Sequence, residues 1–167
     1  MPRPSLLRAT TSILGLLLCA VLSPARSDPG LRPGSYVEVS AYLQSDDAYE
    51  AWLMLRHQLY RNFDAICGDT FCEGDFSNIQ SLRYVCSVHR VSGRIGSCAW
   101  SFAASEESVA RRSGRISAQT PAWLCLSPLV PGTTIEGLLD ALQGDEPLHA
   151  ALPGSSRTLY DGLIDCL

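Results

Sequence analysis

Residues 81–102 read SLRYVCSVHR-VSG-RIGSCAWSF. Before the central VSG, Leu82, Tyr84, Cys86 and Val88 fall on one parity, and Arg83, Ser87 and His89 on the other. After it, Cys98, Trp100 and Phe102 share a parity against Ser97, Ala99 and Ser101. Alternation of this kind marks half-buried strands, expected here over 81–90 and 94–104. Directly opposed residues of a hairpin share a face, so the turn must set even positions against even ones. A two-residue loop at Ser92-Gly93 would set Cys86 against Ala99 and mix the faces. A three-residue loop, Val91 to Gly93 with Gly93 left-handed, pairs Arg90 with Arg94. Cys86 then faces Cys98, Tyr84 faces Trp100 and Leu82 faces Phe102, all on the core side.

Upstream of this hairpin the pattern changes period. Ser45 is an N-cap followed by Asp46 and Asp47, whose charges suit a helix N-terminus. From Asp46 to about Phe63 there is no Gly or Pro, and Tyr49, Trp52, Leu53, Leu59, Tyr60 and Phe63 recur at helical steps. Their broad apolar face is expected to cover the core side of the sheet. Tyr36 to Leu43 alternates weakly and reads as a short strand or as the approach to that helix.

Downstream, Ser105 to Arg115 mixes Glu106, Glu107, Arg111, Arg112 and Arg115, which reads as a solvated loop or a short surface helix. Ile116 to Leu126 reads as a third strand, bulged and at the sheet edge, because its parity breaks around Pro121. Thr133 with Glu136 matches a capping box, and Ile135, Leu138, Leu139 and Leu142 give a short helix ending at Gly144. Pro147 to Leu152 could add one helical turn. A last amphipathic segment from Ser155 or Ser156 carries Leu159, Leu163 and Cys166. The fold class is α+β: an amphipathic N-terminal helix on a small antiparallel sheet, with short C-terminal helices and disulfide bonds.

Arg3 and Arg8 precede an apolar run, Ile13 to Leu22, and small residues at Ser23, Ala25 and Ser27 suit signal peptidase. Residues 1–27 read as a cleaved secretory signal peptide, with cleavage after 25 or 27, followed by a flexible Pro/Gly-rich terminus over residues 28–35 and one domain over 36–167. The expected location is periplasmic or secreted, with no membrane span after signal removal. Loss of Arg3, Arg8 and Arg26 leaves ten arginines against seventeen acids, a net charge of −7. That balance argues against a nucleic-acid partner.

Seven cysteines become six once Cys19 leaves with the signal, an even number suited to three disulfides in an oxidising compartment. The spacings Cys67-x4-Cys72 and Cys86-x11-Cys98 do not resemble zinc knuckles. The hairpin register gives Cys86–Cys98. A turn containing Gly68 brings Cys67 to Cys72, which leaves Cys125 for Cys166. The competing pattern joins Cys67 or Cys72 to Cys166.

His57, His89 and His149 sit apart in different elements, His89 on the polar, solvent side of its strand, and no nucleophile elbow or metalloprotease helix is present. No cofactor, metal site or catalytic set is expected. The candidate site is the loop Cys67-Gly-Asp-Thr-Phe-Cys72-Glu-Gly-Asp75, in which Asp69, Glu73 and Asp75, with Asp64 just before, gather carboxylates between two cysteines. Such a loop reads as a solvated surface, as a binding surface for a basic protein partner, or as a calcium loop without EF-hand spacing. Phe71 at its centre is either an interface anchor or a ring folded back onto the core. These features point to an exported, non-enzymatic binding protein of the bacterial cell envelope, an inhibitor or immunity-type factor. The alternatives are an envelope hydrolase that cuts polysaccharide with paired carboxylates, and a structural or assembly protein.

Overall fold

From Ser35 onward the chain forms β1 (Tyr36–Glu38), α1 (Val39–Tyr42), α2 (Asp46–Cys67), a 3-10 turn (Phe71–Glu73), β2 (Gln80–His89) and β3 (Ile95–Ala103). β4 (Glu106–Val109), β5 (Ile116–Gln119), β6 (Ala122–Leu126), α3 (Ile135–Ala141) and α4 (Leu159–Ile164) complete it. The structure, a computed structural model, describes residues 35–167. The expected signal peptide, and the flexible terminus apart from Ser35, lie outside the described residues.

β1, β2, β3 and β6 form an antiparallel sheet in that order, and β4 and β5 form a separate two-stranded ribbon. Helices and antiparallel sheet together make the fold α+β. In the middle of the hairpin the register is the one the alternation implies: Tyr84 opposes Trp100 and Cys86 opposes Cys98. Both ends depart from it. His89 donates its N–H to Arg94 O at 2.8 Å, so the loop is the four residues Arg90 to Gly93 rather than three. The extra loop residue would put the two faces out of step, but Val88 pairs with Ile95 and Ser87 with Ser97, leaving Gly96 as a bulge that restores the parity. Gly93 has φ 66°, as the turn requires, and any Cβ there would also lie 2.7 Å from the Tyr42 hydroxyl. A Cβ on Gly96 would lie 2.9 Å from both Ser87 Oγ and the Tyr36 ring, which explains a glycine at the bulge.

The second bulge lies at the far end. Ser81 pairs with Phe102 and Arg83 with Ser101, so Leu82 is the surplus residue. Leu82 therefore does not face Phe102 and is 60% exposed, contrary to its core-side parity. Phe102 remains fully buried.

α2 is capped by Ser45, whose Oγ accepts from Ala48 N–H at 3.2 Å, and runs to Cys67, four residues past Phe63. Its buried residues are Trp52, Leu55, Leu59, Asn62, Phe63 and Cys67. Tyr49, Leu53 and Tyr60, expected on the apolar face, are exposed, so the buried stripe is narrower than the sequence suggested. Trp52 lies 5.7 Å from the ring of Tyr84, and Phe63 lies 4.7 Å from Phe102 and 5.9 Å from Trp100. These rings form the middle of one apolar cluster, each large enough to dominate the burial energy around it. Buried Asn62 is satisfied at both ends: Nδ2 donates to Asp145 O at 2.8 Å and Oδ1 accepts from Leu148 N at 3.3 Å. It thereby ties the segment after α3 to α2.

Ile116 to Leu126 is not one strand. β5 leaves the sheet to pair with β4, and β6 begins after Pro121 and pairs with β3 from Ala103↔Ala122 to Ala99↔Leu126. Pro121 lacks the N–H that would continue a ladder, so it separates the two strands instead of kinking one. Ser105 to Arg115 accordingly holds no helix: Glu106–Val109 is the first strand of a β-ribbon, and residues 110–115 are its exposed loop, as the loop reading had it. The cap of α3 is Thr134, which accepts from Gly137 N–H at 3.1 Å; the Thr133 hydroxyl instead donates to Val130 O at 2.8 Å. Pro147 to His149 is a turn rather than helix. α4 opens on Thr158, with a capping box completed by Asp161.

The disulfides are Cys67–Cys72, Cys86–Cys98 and Cys125–Cys166, with Cα separations of 5.0, 4.0 and 5.5 Å. They respectively close the turn after α2, bridge the hairpin and join β6 to the segment following α4. Among the described residues no helix is long and apolar enough to cross a membrane.

Candidate functional site

The acidic loop lies at the end of the sheet where β2 begins and β3 ends. Cys67–Cys72 closes it at its base, and Thr70 Oγ1 donates to Ile66 O at 2.7 Å, so the turn is held on both sides. Asp69, Glu73 and Asp75 are exposed, and none makes an ion pair within the described residues, where Arg157–Asp165 is the salt bridge formed. Phe71 stacks on Phe63 with centroids 6.0 Å apart and packs against Tyr160 at 5.7 Å. Of its two readings, this geometry matches the ring folded back onto the core, which anchors the loop. No three His, Cys, Asp or Glu side chains among the described residues gather closely enough to hold a metal ion.

The loop has a neighbour that the sequence did not announce. Asn78 Nδ2 donates to Ser105 Oγ at 3.2 Å and Asn78 Oδ1 accepts from Ser105 N at 3.1 Å, fixing the root of the β4–β5 ribbon beside the acidic segment. Phe76 meets Trp123 edge-on at 5.9 Å across the same end. All eight residues of β4 and β5 are exposed, including Val109 and Ile116, which oppose each other near the tip. The tip carries Arg111, Arg112 and Arg115, and no acid occurs from Ser108 to Gln119. One end of the sheet therefore carries both the acidic loop and the root of an arginine-tipped arm. An isolated two-stranded ribbon is marginally stable in water, so an arm of this type gains from contact with another surface.

The opposite end holds a cleft of about 610 Å³ between the α1–α2 junction, Arg90 and α3. Its carboxylate is Glu136, and Tyr42 OH lies 3.4 Å from Glu136 Oε1. Burial, then the Glu136 charge, raises the Tyr42 phenol above its ordinary value. Glycoside cleavage by paired carboxylates needs two such groups across the scissile bond, and this cleft offers Glu136 alone. The histidines stay apart. His57 is exposed, His149 packs on Tyr160 at 5.0 Å, and His89 is half-buried beneath Tyr36 at 5.3 Å instead of facing open solvent. Ser92 holds the His89 ring through its N–H and hydroxyl, 3.3 and 3.1 Å from Nδ1.

Compared with known proteins, the chain matches no family, no curated sequence and no solved structure.

Proposed function

We propose that this chain is an exported, disulfide-stabilised, non-enzymatic binding protein of the bacterial cell envelope, holding a basic protein partner on Asp69, Glu73 and Asp75 in the manner of an inhibitor or immunity-type factor. The observation that carries the reading is a set of exposed carboxylates without internal ion pairs, on a loop clamped by Cys67–Cys72 and by the stacking of Phe71 on Phe63. A loop already ordered before binding loses little entropy on association, and its unneutralised charge steers an oppositely charged partner. Three disulfides suit an oxidising, extracytoplasmic compartment, and the signal-like sequence over residues 1–27 suits delivery there.

The test is capture from bacterial envelope extract on immobilised protein, wild type beside the Glu73→Arg, Asp75→Arg double variant, with elution by salt. A basic protein held by the wild type, released by salt and missed by the variant supports the proposal. The same proteins held by both, or none held by either, refutes it.

A further inference from the structure

On α2, Leu53, Arg56, His57 and Tyr60 recur at steps of three, one and three residues, forming a stripe that borders the buried one. Facing them across a cavity of about 300 Å³ are Ser81, Leu82 and Arg83 of β2, with Tyr84 and Trp100 also in its lining. The Leu82 bulge shapes this side: the surplus residue breaks the ladder where a regular strand would have continued its alternation. Tyr84 and Trp100 are nearly inaccessible, and Trp100 Nε1 donates to Ser81 Oγ at 2.8 Å, so these partners are fixed.

The charge of the lining is unlike that of the chain. Arg56 and Arg83 contribute to it and no carboxylate does, in a protein with seventeen acids and thirteen arginines. Arg56 Nε is buried and has no acceptor, and Arg56 forms no ion pair among the described residues. A buried N–H donor without an acceptor is disfavoured, and a guanidinium is best satisfied by a planar or tetrahedral oxyanion. Exposed Leu53, Tyr60 and Leu82 add apolar surface to the same lining. A recess lined by both cationic and apolar side chains suits a small anion that carries an apolar body, and the volume stands at the lower end for such a site.

From these observations we infer that the recess between α2 and the β2 bulge binds a small organic oxyanion, its carboxylate or phosphate on Arg56 and its apolar body against Leu53, Tyr60 and Leu82. This site is independent of the acidic loop, and neither reading requires the other.

The experiment is an NMR titration of the full mature protein that follows the Arg56 Nε–H resonance. The probes are benzoate, phenyl phosphate and the neutral benzamide. Saturable shifts of that resonance at millimolar benzoate or phenyl phosphate, but not with benzamide, support the site, and the tighter anion identifies the headgroup. Arg56→Met should weaken binding about tenfold or more, the value of one charged hydrogen bond. Should that variant not fold, the wild-type resonance still reports binding, and exposed Arg83→Ser tests the second cation through a smaller loss. No saturable shift with either anion, or an equal shift with benzamide, overturns the inference. So does unchanged affinity in a folded Arg56→Met variant.

Discussion

Cys86 and Cys98 face each other with Cα atoms 4.0 Å apart, and the two register shifts of their hairpin fall on either side of them. The bridge thus sits in the regular part of the ladder, with the Gly96 bulge toward the turn and the Leu82 bulge toward the acidic loop. Each bulge also shapes the surface beside it: the first admits Tyr36 over the strand, and the second borders the cationic recess.

Removal of the disulfides should follow the length of chain that each one closes. The sequence separations are 5 for Cys67–Cys72, 12 for Cys86–Cys98 and 41 for Cys125–Cys166. On the chain-entropy account these correspond to losses of about 2, 3 and 4 kcal/mol. Denaturant unfolding of the three paired Cys→Ala variants should rank them in that order. A Cys125/Cys166 variant as stable as wild type would contradict it.

How much of this was legible in the sequence depends on whether a residue sees both core and solvent. The hairpin strands have one wet face and one dry face, so parity carried the register and, with it, the Cys86–Cys98 pair. The β4–β5 ribbon is exposed on both faces, so no alternation marks it. Its surviving trace is Ser113-Gly114, a turn dipeptide whose Gly114 has φ 68°. Leu82 has the right parity but the wrong environment, since a bulge shifts pairing without altering composition. The acidic loop was visible from its carboxylate spacing and cysteines. Its neighbour the arm was not, because the Asn78–Ser105 hydrogen bonds join residues 27 apart. In the cationic recess, Leu53 and Tyr60 share the helical periodicity of the core residues because they border the buried stripe by a single helical step.

Gly93 should tolerate no side chain. Its φ of 66° is disfavoured for other residues by about 1–2 kcal/mol, and a Cβ would press on Tyr42 OH and Glu136. Gly93→Ala should therefore lower stability by at least that amount in denaturant unfolding, whereas Gly114→Ala, with open space around it, should show the backbone effect alone. Equal losses in the two variants would count against the Tyr42 contact.

Stability should fall in strong alkali because of Tyr84. Burial pushes its phenol from 10.0 up to about 12, and the hydrogen bond with Ser127 at 3.0 Å only partly offsets that. A group raised in the folded state gives stability that is complete below its unfolded value and is lost as pH rises through the folded one. The loss should thus run from pH 10 to about 12 and reach about 3 kcal/mol. Ultraviolet titration of the tyrosines should show a late step that Tyr84→Phe abolishes. A wild-type titration complete near the ordinary value would contradict the burial.

Acid should loosen α4. Asp161 accepts from Thr158 N at 2.7 Å and from Thr158 Oγ1 at 3.0 Å, and these bonds, the backbone one first, hold its carboxyl below the ordinary value of 3.8. A depressed carboxylate stabilises above its unfolded value, and that contribution is lost as pH falls through the folded one. Wild type should lose melting temperature below pH 3.8 more steeply than Asp161→Asn, with the two converging in strong acid. Parallel curves would remove the capping box from the account.

Binding through the acidic loop is tested most directly by the affinity of a captured partner for the Glu73→Arg, Asp75→Arg variant, measured beside that variant's melting temperature. Both side chains are exposed and unpaired within the described residues, so their reversal should leave the melting temperature nearly unchanged. Placing like charges against a basic partner should weaken the complex on the order of a hundredfold, and added salt should narrow the difference. An affinity equal to wild type at low salt, in a variant that melts normally, would contradict the proposed function.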